Sequence, residues 1–475
     1  MKFASLSIPL VIVSSFAGIV PASAQTPTFQ HIVVVVQENR TPDNLFYALC
    51  ALPELCSTTP TPFQYNIQTR NWLDKSAPGG VIQPLTVELA NAYDLNHAHQ
   101  AFQQQCNMSA TTKGCSMDGG AEVSCTGTCP TQPSFRYVDN STGILDPYLD
   151  LIKQYGWANY MFQTNQGPSF PAHQFIFGGT SAPTAAADAA GIFADSNVDS
   201  EAAIAGCIAA EGATVTLVST VKLADEYIYP CFQHDTMPDV LPASVTWRYY
   251  ASAAGSIWTA PNAIQHICEP SAPTGGECEG PKWKENVDLA SANVLKDISS
   301  CTLRNLSWVT PTGQNSDHAD VNTGGGPDWV ASIVNAIGAS SCKDADGKSY
   351  WESTAILITW DDWGGWYDHE PPTILPQPQG DYQYGFRVPL IVVSAYTPHM
   401  IDNARYDFGS ILRFIEHNFG AKEGALNFAD ERADNSLTNF FDLRLLPRPF
   451  AAISTTKDAE FFINDKTPPT DPDDD

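Results

Sequence analysis

The chain has 475 residues, 43% hydrophobic and 16% charged, which is too apolar for a disordered chain and too long for one small core. Its formal net charge of −28 opposes binding to nucleic-acid backbones and gives no attraction to anionic lipid. Twelve cysteines without paired metal-ligand spacings point to disulfides and an oxidising compartment, with Cys50–Cys56 and Cys268–Cys278 as local pairs.

Residues 1–24 have the form of a secretory signal. Lys2 precedes the apolar run "LSIPLVIVSSFAGIV", and "PASA" closes in a small-x-small pattern, so the expectation is a secreted or periplasmic protein cleaved after Ala24. Next comes "HIVVVVQENRTPDNLF", His31 to Phe46. Its β-branched start predicts a buried strand over 29–36 that runs without a spacer into Glu38 and Asn39. Residues 50–135, rich in Cys, Gly, Pro, Thr and Gln, read as a disulfide-tied, loop-rich insertion. Residues 145–162 read as helical, and "FIFGGTSAP" (175–183) as a strand or the end of a buried helix. A second low-order insertion covers about 181–235.

Strands are then expected in "VTWRYYA" (245–251), "LSWVTP" (306–311), "TAILITWDDWGG" (354–365) and "RVPLIVVSA" (387–395). Helical spacing marks "DWVASIVNAIGAS" (328–340) and "GSILRFIEHNF" (409–419). Beyond about 455 the chain reads as a polar, solvated tail. Continuous apolar strands alternating with helices predict an α/β fold with a sheet covered on both faces. Ligands of such sheets bind beyond the carboxyl ends of the strands.

Glu38-Asn39 and Asp361-Asp362 both fall at such ends. Four oxygen donors, three of them anionic, suit a divalent cation, without which the carboxylates repel one another. The plain alternative is solvated acids at strand ends. In "TNQGPSFPAHQF", Ser169 is bracketed by Pro168 and Pro171, which fixes one hydroxyl in a stiff turn. A fixed hydroxyl beside a dication is a candidate nucleophile, whereas taken alone it is an ordinary turn serine. His97, His318 and His369 each have an aspartate close in sequence (Asp94, Asp317, Asp368), a pairing that suits phosphate binding or proton transfer. No Gly-rich phosphate loop or Gly-x-Ser-x-Gly elbow is present.

Together these segments resemble the bacterial phospholipase C / acid phosphatase phosphoesterase family. "HIVVVVQENRTPDNLF" is similar to its N-terminal strand followed by Glu-Asn-Arg-Ser/Thr-x-Asp-x-x-Phe, and "GPSFPAHQF" to its Gly-Pro-Thr/Ser-x-Pro-Asn-Arg segment. "SDHADVNTGG", "ITWDDWGGWYDHEPP" and "GFRVPLIVVSAY" with "SILRFIEHNFG" follow in family order. The resemblance implies a three-layer α/β/α sandwich of alkaline-phosphatase-like type with loop-rich insertions. It makes 25–455 one catalytic domain and 456–475 an acidic tail.

It also implies that Glu38, Asn39, Ser169, Asp361 and Asp362 bind one or more divalent metal ions, with Ser169 as nucleophile. His97, His318 and His369 would bind phosphoryl oxygens or move protons. The expected substrate is a small molecule or a phospholipid met by transient contact with a membrane surface, with no nucleic-acid partner. Phospholipase C-type diester cleavage is the first reading, acid phosphatase action on monoesters the second, and a non-catalytic secreted binding protein the third. Trp360, Trp363, Trp366 and Tyr367 around the acidic pair suit either core packing or contact with a choline-like substituent. Two departures stand out: Ala172-His173 replaces Asn-Arg, and Ala319 replaces proline after His318. Arg40 has two readings, phosphate binding or a salt bridge to Asp43 or another acid, and the second is favoured.

Overall fold

Five β-branched residues in succession, Ile32 to Val36, form the middle of strand β1 (His31–Gln37), and every residue of that strand is buried. Each such side chain removed from water stabilises the fold by roughly 1.5–3 kcal/mol. Burial on both faces puts β1 in the interior of a sheet. The structure is a computed structural model that describes residues 29–111, 114–199, 204–219, 226–375 and 382–470. The signal sequence expected over 1–24 lies outside the described residues.

The remaining central strands are β2 (Gly156–Phe162), β3 (Trp247–Tyr250), β4 (Val287–Asp288), β5 (Leu306–Val309), β6 (Thr354–Trp360), β7 (Leu390–Val393) and β8 (Met400–Asp407). They form one eight-stranded sheet in the order β4-β3-β5-β1-β6-β7-β2-β8. Strand β7 runs antiparallel to both neighbours, and the other pairings are parallel.

Four helices flank the sheet: α1 (Asp146–Gln154), α2 (Ser169–Gly178), α3 (Gly326–Gly338) and α4 (Phe408–Phe419). Side-chain alternation assigns their faces. Val34 is in register with Trp308 and with Leu357, so these three share a face. Phe177 of α2 packs its ring 5.0 Å from Trp308, which sets α2 on that face. Trp360, three residues beyond Leu357, points to the other face, where Tyr148 of α1 lies 5.2 Å from it. Helix α3 packs on α1, and α4 packs on α2. The result is the expected three-layer α/β/α sandwich with loop-rich insertions.

The described part of residues 50–135 contains strands of two or three residues, the α-helix His99–Cys106 and short 3-10 turns, tied by disulfides Cys50–Cys56, Cys106–Cys115 and Cys125–Cys129. Cys207–Cys231, Cys268–Cys278 and Cys301–Cys342 complete six pairs, and no cysteine is free.

Four sequence expectations change. The helix expected over 145–162 is α1 followed at Gly156 by β2, because Tyr155 turns to an extended conformation and the aromatic-rich GWANYMF run then pairs in the sheet. The low-order region 181–235 holds a three-stranded antiparallel sheet of Ile192–Ala194, Val215–Ser219 and Glu226–Ile228. Strand β8 was not expected. The polar tail still contributes a helix, Ala459–Asn464, whose buried Phe462 meets Trp329 of α3 at 5.2 Å.

Candidate functional site

Parallel register builds the centre of the site. Gln37 faces Trp360 across β1 and β6, so the next residues, Glu38 and Asp361, arrive side by side. Alternation aims both toward the α2 face, since Glu38 continues Val34 and Val36, and Asp361 continues Leu357 and Thr359. The Asp361 amide donates to Gln37 O (2.9 Å), and the Asn39 amide donates to Asp361 Oδ1 (3.0 Å). Two segments more than 300 residues apart are thus joined by the sheet.

Asn39 ends the run in a left-handed conformation, φ +60°. Its Nδ2 donates to His97 Nε2 (3.1 Å), while His97 Nδ1–H donates to Leu95 O (2.8 Å). That chain fixes the His97 tautomer and turns Asn39 Oδ1 the other way.

Pro168 caps α2, whose first residue is Ser169 and whose second turn carries His173. Positions four apart share a helix face, so both side chains look toward the same strand ends. Ser169 Oγ donates to Asp362 Oδ2 (3.2 Å). His173 Nε2 lies 3.4 Å from Glu38 Oε1 and 3.7 Å from Asp361 Oδ2. Asp362 Oδ1 accepts from the Gly364 amide (2.7 Å).

The electrostatics are severe. Glu38, Asn39, Ser169, His173, Asp361 and Asp362 are all buried. Burial, and then the Asp361 charge, push Glu38 well above the carboxylate range. The same two causes push Asp362 up to about 8. Burial pushes His173 down to about 4. Glu38 Oε1, Asn39 Oδ1 and Asp361 Oδ2 have no hydrogen-bond partner among the described residues. One ligand atom each from Glu38, His173 and Asp361 lies within 4.8 Å of the others, and with the orphaned Asn39 Oδ1 on the adjoining residue they form a donor set that fits a divalent cation. Unpaired buried acceptors are otherwise costly.

His318 stands at the edge of this group. Its Nδ1–H donates to Ala319 O (2.7 Å), and its ring lies 5.9 Å from His97 and 6.1 Å from Trp258. Its sequence neighbour Asp317 does not pair with it. The Asp317 carboxylate accepts from Tyr148 Oη and Trp360 Nε1, and burial pushes it up to about 6.

His369 belongs to a different cluster. Its Nδ1 pairs with Asp43 Oδ2 (2.7 Å) and its Nε2 with Asn66 Oδ1 (3.0 Å), so its carboxylate partner is Asp43 and not Asp368. Arg387 grips Asp368 through Nε and Nη2 at 2.8 and 2.9 Å. With a buried guanidinium already compensating the acids, this cluster does not need a cation.

Arg40 also departs from expectation. It makes no pair with Asp43. It donates to Asp317 O (2.8 Å), Leu89 O (3.0 Å), Asn44 and Asn91, and lies 4.7 Å from the Trp366 ring. It is a buried brace for the loops around the site. Trp360, Trp363, Trp366 and Tyr367 are fully buried as well, so they pack the core and offer no open aromatic surface to a substituent.

The structure therefore brings Glu38, Asn39, Ser169, Asp361 and Asp362 together, with His97 and His318 adjoining and His369 apart. His173 is the residue that sequence reasoning passed over. Its signal was the four-residue spacing from Ser169 on a helix.

Comparison with known proteins bears on the same stretch. The family model described as Phosphoesterase family matches residues 29–422. A non-hemolytic phospholipase C of Pseudomonas aeruginosa is 22% identical over 48% of this chain and 36% of its own length. Phospholipase C B of Mycobacterium tuberculosis is 28% identical over 32% of each chain. The match thus spans about a third of each of these relatives. A solved protein in the alkaline phosphatase superfamily from Vibrio parahaemolyticus matches at a TM-score of 0.33 and 10% identity, over 60% of this chain and 63% of that one.

Proposed function

Since the chain belongs to the Phosphoesterase family, we propose that it hydrolyses phosphoric esters, and that its substrate is a phospholipid phosphodiester cleaved as by a phospholipase C. The observation that carries the reading is the placing of Ser169 Oγ at the start of α2, 3.2 Å from Asp362 and beside three orphaned buried oxygens. The names of the relatives support the diester over the monoester.

Glu38, Asn39, Asp361 and Asp362 would hold a divalent cation, which when bound neutralises phosphoryl charge and lowers the pKa of a coordinated hydroxyl. With the cation bound Asp362 would be ionised, and it accepts the Ser169 proton along the existing hydrogen bond. The Phe170 amide is taken by Asn197 Oδ1 and Pro171 has none, so α2 contributes its dipole rather than a row of open amides to the negative charge that develops on Oγ. Ser169 attacks phosphorus in line, and the phosphorus–oxygen bond to the alcohol breaks. His318 is bound through Nδ1 to Ala319 O, so proton exchange falls to its Nε2, which protonates the leaving alcohol. His97 keeps Asn39 turned toward the centre. Both nitrogens of His369 are committed elsewhere, so its part is to hold the loop after β6. Water, giving a proton to His318, then attacks the phosphoserine; the Oγ–phosphorus bond breaks, Ser169 regains its proton from Asp362, and the phosphorylated head group is released.

The signal-like residues 1–24 and the pairing of all twelve cysteines support export. A non-catalytic binding protein would gain nothing from three unpaired buried oxygens around a serine.

Ser169→Ala is expected to lower turnover by roughly three orders of magnitude or more, with metal content unchanged. The substrates to assay are phosphatidylcholine, sphingomyelin and an aryl phosphate. Retention of most activity would overturn the nucleophile. Activity on the aryl phosphate alone would replace the diesterase with an acid phosphatase.

A further inference from the structure

We infer that His173 is a direct nitrogen ligand of the cation, which makes this a mixed nitrogen–oxygen site that prefers a first-row transition dication to calcium or magnesium. The inference rests on the metal-dependent reading above and deepens it.

The argument begins with proton positions. Tyr249 Oη carries a single hydrogen and donates it to Trp258 O at 2.7 Å. Toward His173 Nδ1, 3.4 Å away, that oxygen can therefore only accept. The Nδ1 atom then carries the ring proton, and Nε2 of the neutral ring presents a lone pair. That lone pair points at Glu38 and Asp361. In the metal-free pocket a proton on Glu38, whose Oε2 lies 3.5 Å from Nε2, can face that lone pair; once both carboxylates are ionised the arrangement is unfavourable unless a cation lies between them.

The spacing agrees. Donors held ~2.0–2.2 Å from one shared ion lie ~3–3.5 Å from their neighbours. His173 Nε2 lies 3.4 Å from Glu38 Oε1 and 3.7 Å from Asp361 Oδ2, and both distances are longer than a good charge-assisted hydrogen bond. The ring is also held as metal-bound histidines are, with its far nitrogen bound to an oxygen acceptor. Trp258 stacks beside it at 6.4 Å and 28°. An imidazole nitrogen among carboxylates moves selectivity toward manganese, iron, cobalt or zinc, whereas calcium and magnesium prefer oxygen alone.

The test uses the full-length protein loaded with Mn²⁺ and labelled with ¹⁵N-histidine, read by pulsed electron paramagnetic resonance. A histidine–nitrogen coupling is expected, surviving His97→Gln and His318→Gln but lost in His173→Gln. His173→Gln should also weaken Zn²⁺ binding at least tenfold in a chelator competition, with near-ultraviolet circular dichroism unchanged. Mn²⁺ bound without histidine coupling in the wild type overturns the inference while leaving the metal-dependent hydrolase standing. So does a coupling lost with His97→Gln or His318→Gln. A wild-type chain that binds none of Mn²⁺, Zn²⁺ or Ca²⁺ would instead overturn the metal-dependent reading itself. If His173→Gln fails to fold, the wild type and the other two variants still decide.

Discussion

A single backbone turn decides where the Asn39 amide points. Asn39 has φ +60°, a conformation asparagine tolerates better than most residues. Gly364, on the loop after β6, lies directly against it. A Cβ at Gly364 would come within 2.3 Å of Asn39 O and 2.7 Å of Asn39 Cβ, and Gly364 itself has φ +58°. Gly364→Ala is therefore expected to push Asn39 away from the centre. Backbone strain of this kind costs about 1–2 kcal/mol, visible as a lower Tm. The sharper readout is divalent-metal affinity, expected to fall at least tenfold. Unchanged affinity would mean that Asn39 Oδ1 is not a donor. Asp361→Ala should go further and empty the site by metal analysis. At this scale the sequence is legible where polar residues follow an apolar run without a break, as at Glu38-Asn39 and Asp361-Asp362. It misleads where a histidine and an aspartate are merely adjacent. Asp317 turns to Tyr148 and Trp360, and Asp368 turns to Arg387, because neighbouring side chains on extended or looped chain point in different directions.

Helices and strands were legible in proportion to their periodicity. Helix α4 shows a clean apolar face and begins with a capping box of Asp407 and Ser410. Strand β8, reading MIDNARYD, is polar because it sits at the edge of the sheet, and its register shifts between Asp402 and Arg405. Neither pattern nor propensity marks such a strand. Helix α4 also carries a titration of its own. Glu416 accepts from the amides of Gly424 (2.7 Å) and Ala425 (2.9 Å), while Asp430 accepts from those of Leu426 and Phe428. Burial, and then the Asp430 charge, push Glu416 up to about 8. A carboxyl whose folded pKa exceeds its unfolded value of about 4.3 stabilises most at low pH and loses that contribution as pH rises through about 8. Glu416→Gln, which imitates the protonated acid, is expected to flatten the fall in Tm between about pH 5 and 8. A variant with the wild-type slope would remove Glu416 as its source.

For the whole molecule, the decisive fact is that no local segment contains the site. Its donors come from the ends of β1, β6 and α2, and β1 is flanked by strands that begin at residues 306 and 354. The disulfides, by contrast, span 4 to 41 residues and tie loops locally. A divalent metal bound by these donors is thus expected to stabilise the sheet as a unit. Metal at about 100 times its Kd adds about 2.7 kcal/mol to a state that alone binds it. The metal-free protein must meanwhile keep protons on Glu38 and Asp362. Both folded pKa values are raised, Asp362 to about 8, so metal-free stability falls as pH climbs from the ordinary carboxylate range through about 8. Protons compete with the cation over the same window. The gap in Tm between metal-loaded and chelator-treated protein should therefore widen from pH 5 to pH 8 and level off above it. Asp361→Ala should show no gap at any pH, while the Glu416 contribution, away from the metal, persists in both forms. A gap that stays constant across that range would mean that metal and protons do not share the Glu38–Asp362 carboxylates.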